Sequence, residues 1–208
     1  MTNVIEVKNI TCGYGGRAVV HNITCGIQQG EFLGIIGPNG SGKSTFLRSV
    51  SGCLKPYAGK VYYEYQDIYG IPPQELAKSF AFVGQNPVFN FSFSTWEIVL
   101  MGRTPYLGRL RAEDSHDVLA TKEAMRITDT SGFSERDINS LSAGEKQLVV
   151  IARAIAQEPK VLFLDEPTAH LDIGHQVHIL NLIKDLCRGQ HITIIIVLHD
   201  LNLASEYC

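Results

Sequence analysis

The chain has 208 residues, 45% of them hydrophobic and 19% charged, which suits one folded domain with a buried core and excludes a disordered, collagen-like or coiled-coil chain. Eighteen Lys and Arg against 21 Asp and Glu leave a net charge of -3, so there is no bulk attraction for nucleic acid or anionic lipid. Apolar runs such as Ile194 to Leu198 fall far short of the roughly 20 residues needed to cross a bilayer, so the chain is not expected to span one itself.

The first residues, Met1 to Glu6, show no basic segment followed by an apolar one, which points to the cytoplasm. Strands are predicted at Val4 to Lys8, Ala18 to Ile27 and Glu31 to Ile36, with Gly30 between the last two. A helix follows from Lys43. Strand patterns return at Lys60 to Tyr65 and Phe80 to Val83, flanking a short helix start at Pro72-Pro73-Gln74-Glu75. From about 86 to 140 the pattern is helical: Ser94-Thr95-Trp96-Glu97 has capping-box spacing, and a second helix is expected from about Ala112 to Met125. After Leu141 helix and strand alternate: a helix from Gly144 to Gln157, a strand from Val161 to Leu164 and a helix from Ile173 to Arg188 closed by Gly189. A strand from Ile192 to Leu198 and a helical start at Asp200 complete the chain. Such alternation implies a parallel sheet covered on its faces, with a helical insert. The five cysteines, at 12, 25, 53, 187 and 208, are scattered and odd in number, which suits reduced thiols better than disulfides or a zinc site.

Gly37-Pro38-Asn39-Gly40-Ser41-Gly42-Lys43-Ser44-Thr45 fits G-x-x-x-x-G-K-[ST], after an apolar strand and before a helix. Its glycines let backbone N–H groups close around phosphate oxygens, and the helix N-terminus adds a favourable dipole. Lys43 would reach the outer phosphates of a nucleotide and the Ser44 hydroxyl would ligate magnesium. The apolar strand Val161 to Leu164 ends in Asp165 and Glu166. Beside a phosphate cradle these supply a magnesium-holding carboxylate and a group facing the attacking water. In isolation the two acids would read as a solvated strand end.

With Leu141-Ser142-Ala143-Gly144-Glu145 placed between these two motifs, the chain resembles the ATP-binding cassette subunits of ABC transporters over essentially its whole length. The pentapeptide is similar to the family's LSGGQ signature. The resemblance assigns Tyr14 to adenine stacking, Gln85 to the Q-loop and a magnesium contact, Ala169-His170-Leu171-Asp172 to the D-loop, and His199 to the switch histidine at the γ-phosphate. It implies an α/β fold: a P-loop NTPase (RecA-like) core of mainly parallel sheet, an N-terminal antiparallel β subdomain and an inserted α-helical subdomain. One ABC ATPase domain would cover 1–208, with 1–85 and 141–208 as catalytic core and about 86–140 as helical subdomain.

For mechanism the resemblance implies ATP with Mg2+, bound between two copies arranged head to tail. The P-loop, Tyr14 and the metal ligands Ser44, Gln85 and Asp165 act in one copy; Ser142, Ala143, Gly144 and Glu145 of the other close over the γ-phosphate. Glu166 would polarise water, His199 and Lys43 would stabilise developing charge, and Asp172 would link the two sites. Ala143 and Glu145 depart from the signature. Alanine is costly at 143 if the backbone there needs a positive φ and harmless if it is helical. The family usually continues through further strands beyond the switch histidine, whereas this chain ends nine residues after it.

Met101-Gly102-Arg103-Thr104-Pro105-Tyr106-Leu107-Gly108 and Ala169 to Gln176 resemble the subgroup that drives import of iron–siderophore, haem and cobalamin chelates. That implies a homodimer on the cytoplasmic face of the membrane beneath integral permease subunits, supplied by an extracytoplasmic binding protein. Phe89, Phe91, Phe93 and Trp96 would be either the surface that receives the permease or a local aromatic core. Arg103, Arg109 and Arg111 read as a solvated face. His170, His175 and His178 lack the accompanying ligands of a zinc site. The alternatives are another ABC importer or exporter ATPase, or a soluble ABC ATPase working on DNA, ribosomes or iron–sulfur assembly.

Overall fold

The computed structural model describes residues 3–85, 88–107 and 113–208. Two sheets form its centre. The first is antiparallel and joins β1 (Asn3–Tyr14), β2 (Arg17–Gln28), β4 (Ala58–Tyr63) and β5 (Gln66–Asp67) in the order β2-β1-β4-β5. The second is parallel, in the order β3-β8-β7-β6, built from β3 (Phe32–Ile35), β6 (Phe80–Val83), β7 (Val161–Asp165) and β8 (Thr193–Val197).

Side-chain alternation along the buried strands explains how the layers stack. Val161, Phe163, Ile195 and Val197 point to one face, where they join Ile5, Val7 and Val61 of the antiparallel sheet and Leu47 and Val50 of α1 (Lys43–Val50). Leu162, Leu164, Ile194 and Ile196 point to the other face. There they meet the apolar sides of α5 (Ala143–Ala156), α6 (Ile173–Gln190) and α7 (Leu201–Tyr207). With both faces covered, β7 and β8 are continuous apolar runs rather than alternating ones. The short α2 (Pro73–Leu76) precedes β6, and between β6 and α5 lie α3 (Thr95–Leu100) and α4 (Ser115–Ile127), which pack Ile98, Val99, Ala124 and Met125 onto the same core as α5. The fold thus has an antiparallel β layer, a parallel sheet that carries the glycine-rich loop, and a helical insertion, the three parts that the resemblance implies.

The capping box at Ser94 and Glu97 is present: Ser94 Oγ accepts from Glu97 N–H, and the Glu97 carboxylate accepts from Ser94 N–H at 2.7 Å. Other expectations are corrected. β1 continues to Tyr14 well past Lys8, because irregular pairing with positive φ at Asn9 breaks the alternation without ending the strand. β4 covers Ala58–Tyr63 rather than Lys60 to Tyr65, since Glu64 and Tyr65 adopt positive φ and turn the chain into β5. Gly189 does not end α6, which closes at Gln190 with His191 left-handed. The expected start of a helix at Ala112 lies outside the described residues, as do Arg109 and Arg111. α4 begins at Ser115 behind the Asp114 cap.

Arg103 is no solvated residue: it is buried. Its Nε donates to Asp117 Oδ1 at 2.9 Å, and Nη1 donates to Ala156 O and Glu158 Oε2, each at 2.7 Å. The Tyr106 ring lies 4.0 Å from the guanidinium. The aromatic run divides. Phe89, Phe93 and Trp96 pack against the core, whereas Phe91 is 73% exposed.

Candidate functional site

Because β3, β6, β7 and β8 are parallel, their C-terminal ends share one edge, which is where open α/β sheets bind ligands. The loop after β3 carries residues 37–42. Gln85 follows β6, Asp165 ends β7 with Glu166 next after it, and His199 follows β8.

The loop wraps into α1 through left-handed glycines. Gly42 caps the helix at φ 95°, and a Cβ there would fall 2.8 Å from Val20 Cγ2. Gly40 has φ 77° with open space beside it, and Gly37 has φ 153° with Ser41 Oγ 3.1 Å from where a Cβ would sit. Lys43 Nζ donates to Gly37 O at 2.9 Å and to Pro38 O at 3.0 Å, so its ammonium lies across the mouth of the cradle. Ser44 Oγ donates to Asp165 Oδ1 at 2.7 Å. A hydroxyl and a carboxylate in contact beside a phosphate cradle are hard oxygen donors that fit Mg2+.

Glu166 is held from two sides: Gln85 Nε2 donates to Oε2 at 2.7 Å, and His199 Nε2 lies 2.6 Å from Oε1. Its backbone is left-handed, at φ 52°, as the chain leaves β7. Asn39, Gly40, Gly42, Lys43, Ser44, Thr45, Gln85, Glu166 and His199 line one cavity of about 370 Å³. A second cavity of about 430 Å³ shares Asn39, Gln85, Glu166 and His199 and extends over Thr168 and His170.

Tyr14 stands at the end of β1, half exposed, with its hydroxyl accepting from Arg48 Nη1 at 3.3 Å. Arg48 also places Nη2 3.8 Å from Asp165 Oδ2. Arg48 and Thr168 escaped the sequence reading; the position of Arg48 one turn along the helix from Ser44 was the available signal for it.

Ser142 to Glu145 and Asp172 do not line either cavity. Ser142 caps α5 in a capping box with Glu145: its Oγ accepts from Glu145 N–H and its own N–H donates to Glu145 Oε2 at 2.7 Å. Those contacts, the backbone one foremost, hold the Glu145 carboxyl below its ordinary range, and Arg136 lies 3.5 Å away. Ala143 is the first residue of α5 and needs no positive φ, so the helical alternative holds there. Asp172 caps α6; the His175 backbone N–H, then its ring, holds the Asp172 carboxyl below its usual value. His170, His175 and His178 belong to no grouping of three or more metal-ligating side chains among the described residues.

The family model described as ABC transporter matches residues 20–169. The chain is 36% identical to a cobalamin import ATP-binding protein of Halobacterium salinarum, over 98% of this chain and 51% of that protein. It is 38% identical to an iron(3+)-hydroxamate import ATP-binding protein of Bacillus subtilis, over 99% of this chain and 76% of that protein. A bacterial ABC transporter cassette solved as a dimer superimposes with a TM-score of 0.82 at 30% identity, over 97% of this chain and 90% of the other. The chain spans about half the length of several curated relatives it matches, 46% and 51% in two cases.

Proposed function

Because the chain belongs to the ABC transporter family, we propose that it is the ATP-binding and ATP-hydrolysing subunit of a membrane importer for metal chelates of the iron–siderophore, haem or cobalamin type. The observation that carries the ATPase reading is the convergence of the P-loop, Asp165, Glu166, Gln85 and His199 on one sheet edge. The names of the cobalamin and hydroxamate relatives support the chelate class.

In this reading the cradle from Gly37 to Thr45 binds the ATP phosphates and the exposed Tyr14 ring stacks on adenine. Ser44, Asp165 and Gln85 hold Mg2+, which neutralises phosphate charge when bound. Glu166 accepts a proton from the attacking water, while Lys43 and His199 stabilise charge on the outer phosphate. Ser142 to Glu145 lie at the capped N-terminus of α5, a ready anion-binding end, with Ser142 and Ala143 exposed, Glu145 half-buried and Gly144 buried. They close the γ-phosphate site of a second copy, and Asp172 connects the two sites. Residues 1–85 and 141–208 form the catalytic part and about 86–140 the helical part.

No helix among the described residues is long and apolar enough to cross a membrane. The proposed station is peripheral, on the cytoplasmic face, beneath permease subunits that receive substrate from an extracytoplasmic binding protein. Phe91 is the part of the aromatic run left free to meet a permease.

Affinity capture from detergent-solubilised native membranes, with mass spectrometry of what co-purifies, tests this reading. A multi-span permease together with a chelate-binding protein is the expected result. Recovery of ribosomal, DNA-associated or assembly proteins alone would leave the ATPase and overturn transport.

A further inference from the structure

We propose that His175 is a positioning residue that locks the N-terminus of α5 to the turn before α6, so that Ser142–Glu145 and Asp172 move as one unit. The two segments are far apart in sequence, and the imidazole touches both. Its Nδ1 lies 2.6 Å from Asp172 Oδ2, and the His175 backbone N–H donates to Asp172 Oδ1 at 3.0 Å. With Asp172 ionised and therefore an acceptor only, Nδ1 carries the proton of that contact. The opposite edge of the ring lies over Gly144: a Cβ there would fall 2.9 Å from Nε2 and nearer still to Cδ2. Gly144 lies inside α5 and has no positive φ, so its missing side chain serves the seat of the ring and not the path of the backbone. Gln176 Nε2 donates to Leu171 O at 2.8 Å and fixes the turn on the far side of Asp172. The charged groups nearby on α5 and the loop before it are Glu145 and Arg136.

This proposal rests on the reading above, in which Ser142–Glu145 engage the nucleotide of a second copy and Asp172 links the two sites. A strut between them makes engagement of one nucleotide shift the group that reports to the other. Coupling free energies of this kind correspond to changes in affinity of about five-fold or more.

The test uses the full chain and its His175→Ala, His175→Asn and Gly144→Ala variants. Three quantities are measured: affinity of the monomer for a fluorescent ATP analogue, ATP-driven dimerisation, and the Hill coefficient of ATP hydrolysis. His175→Ala is expected to lower the Hill coefficient toward 1 and to weaken dimerisation about five-fold or more, with monomer affinity unchanged. His175→Asn, whose amide can still donate to Asp172, should retain part of the coupling. Gly144→Ala, which displaces the ring from the other side, should lose coupling as His175→Ala does. A folded His175→Ala chain with unaltered cooperativity and dimerisation overturns the strut alone. A wild-type chain that fails to dimerise with ATP overturns the functional reading and the strut with it.

Discussion

His199 Nε2 lies 2.6 Å from Glu166 Oε1, across the gap between the ends of β8 and β7, while Gln85 holds the other carboxylate oxygen. One carboxylate is thereby oriented by two side chains from neighbouring strands, as a group meant to meet a single water requires. Replacing His199 with Ala should cut kcat by about 10²-fold or more and leave nucleotide affinity nearly unchanged. Gln85→Ala should act more mildly, because the imidazole still restrains Glu166. Steady-state hydrolysis and equilibrium nucleotide binding, measured on the same preparations, separate the two effects.

Gly42 and Gly40 both have positive φ, but only Gly42 is crowded. Gly40→Ala should cost about 1–2 kcal/mol, the ordinary penalty for a left-handed alanine. Gly42→Ala should cost more, because its Cβ also meets Val20 and the start of α1 must shift. Urea denaturation gives the stability difference; equal losses at the two positions would count against this account of the loop.

Arg103 and Asp117 form a buried ion pair at 2.9 Å, with the half-exposed Glu158 as a second carboxylate on the same guanidinium. Arg103→Met should destabilise the fold by about 3–5 kcal/mol, since it leaves Asp117 buried without its cation. Adding Asp117→Asn should recover much of that loss. A double variant as unstable as the single one would show that packing on Tyr106, rather than charge, governs the site.

Glu145 predicts a pH signature. Its folded carboxyl titrates below the ordinary value of 4.5, through the Ser142 backbone N–H first and the Ser142 side chain second. The stability this gives is fully present above 4.5 and is lost as pH falls through the lowered value. Glu145→Gln can keep the cap without the charge. The difference in Tm between wild type and this variant should therefore be constant above pH 5 and shrink in more acid solution. A difference that grows on acidification would contradict the assignment.

The sequence carried the site further than it carried the packing. Residues 37–45, Asp165 and Glu166 are legible from a motif and a strand end, whereas Gln85 and His199 are legible only through the family resemblance; the parallel sheet gathers all of these positions on one edge. Arg103 was misread because its partners lie 14, 53 and 55 positions away, and charge patterning along the chain says nothing about such closures. The sequence reading takes Glu145 as a variant member of the signature, although Ser142-x-x-Glu145 is itself a capping box, a second role in the same four residues. His175 drew notice as a possible metal ligand. Its contact with Gly144 depends on how α6 crosses the end of α5, which no local pattern encodes.

The most direct test of the central claim is ATP hydrolysis by the purified chain against protein concentration, alongside Glu166→Gln. A catalytic site completed by a second copy predicts specific activity that rises with concentration, and a Glu166→Gln chain that is inactive but dimeric in ATP by light scattering. Activity per chain that is independent of concentration, or a Glu166→Gln variant that hydrolyses ATP like the wild type, would contradict it.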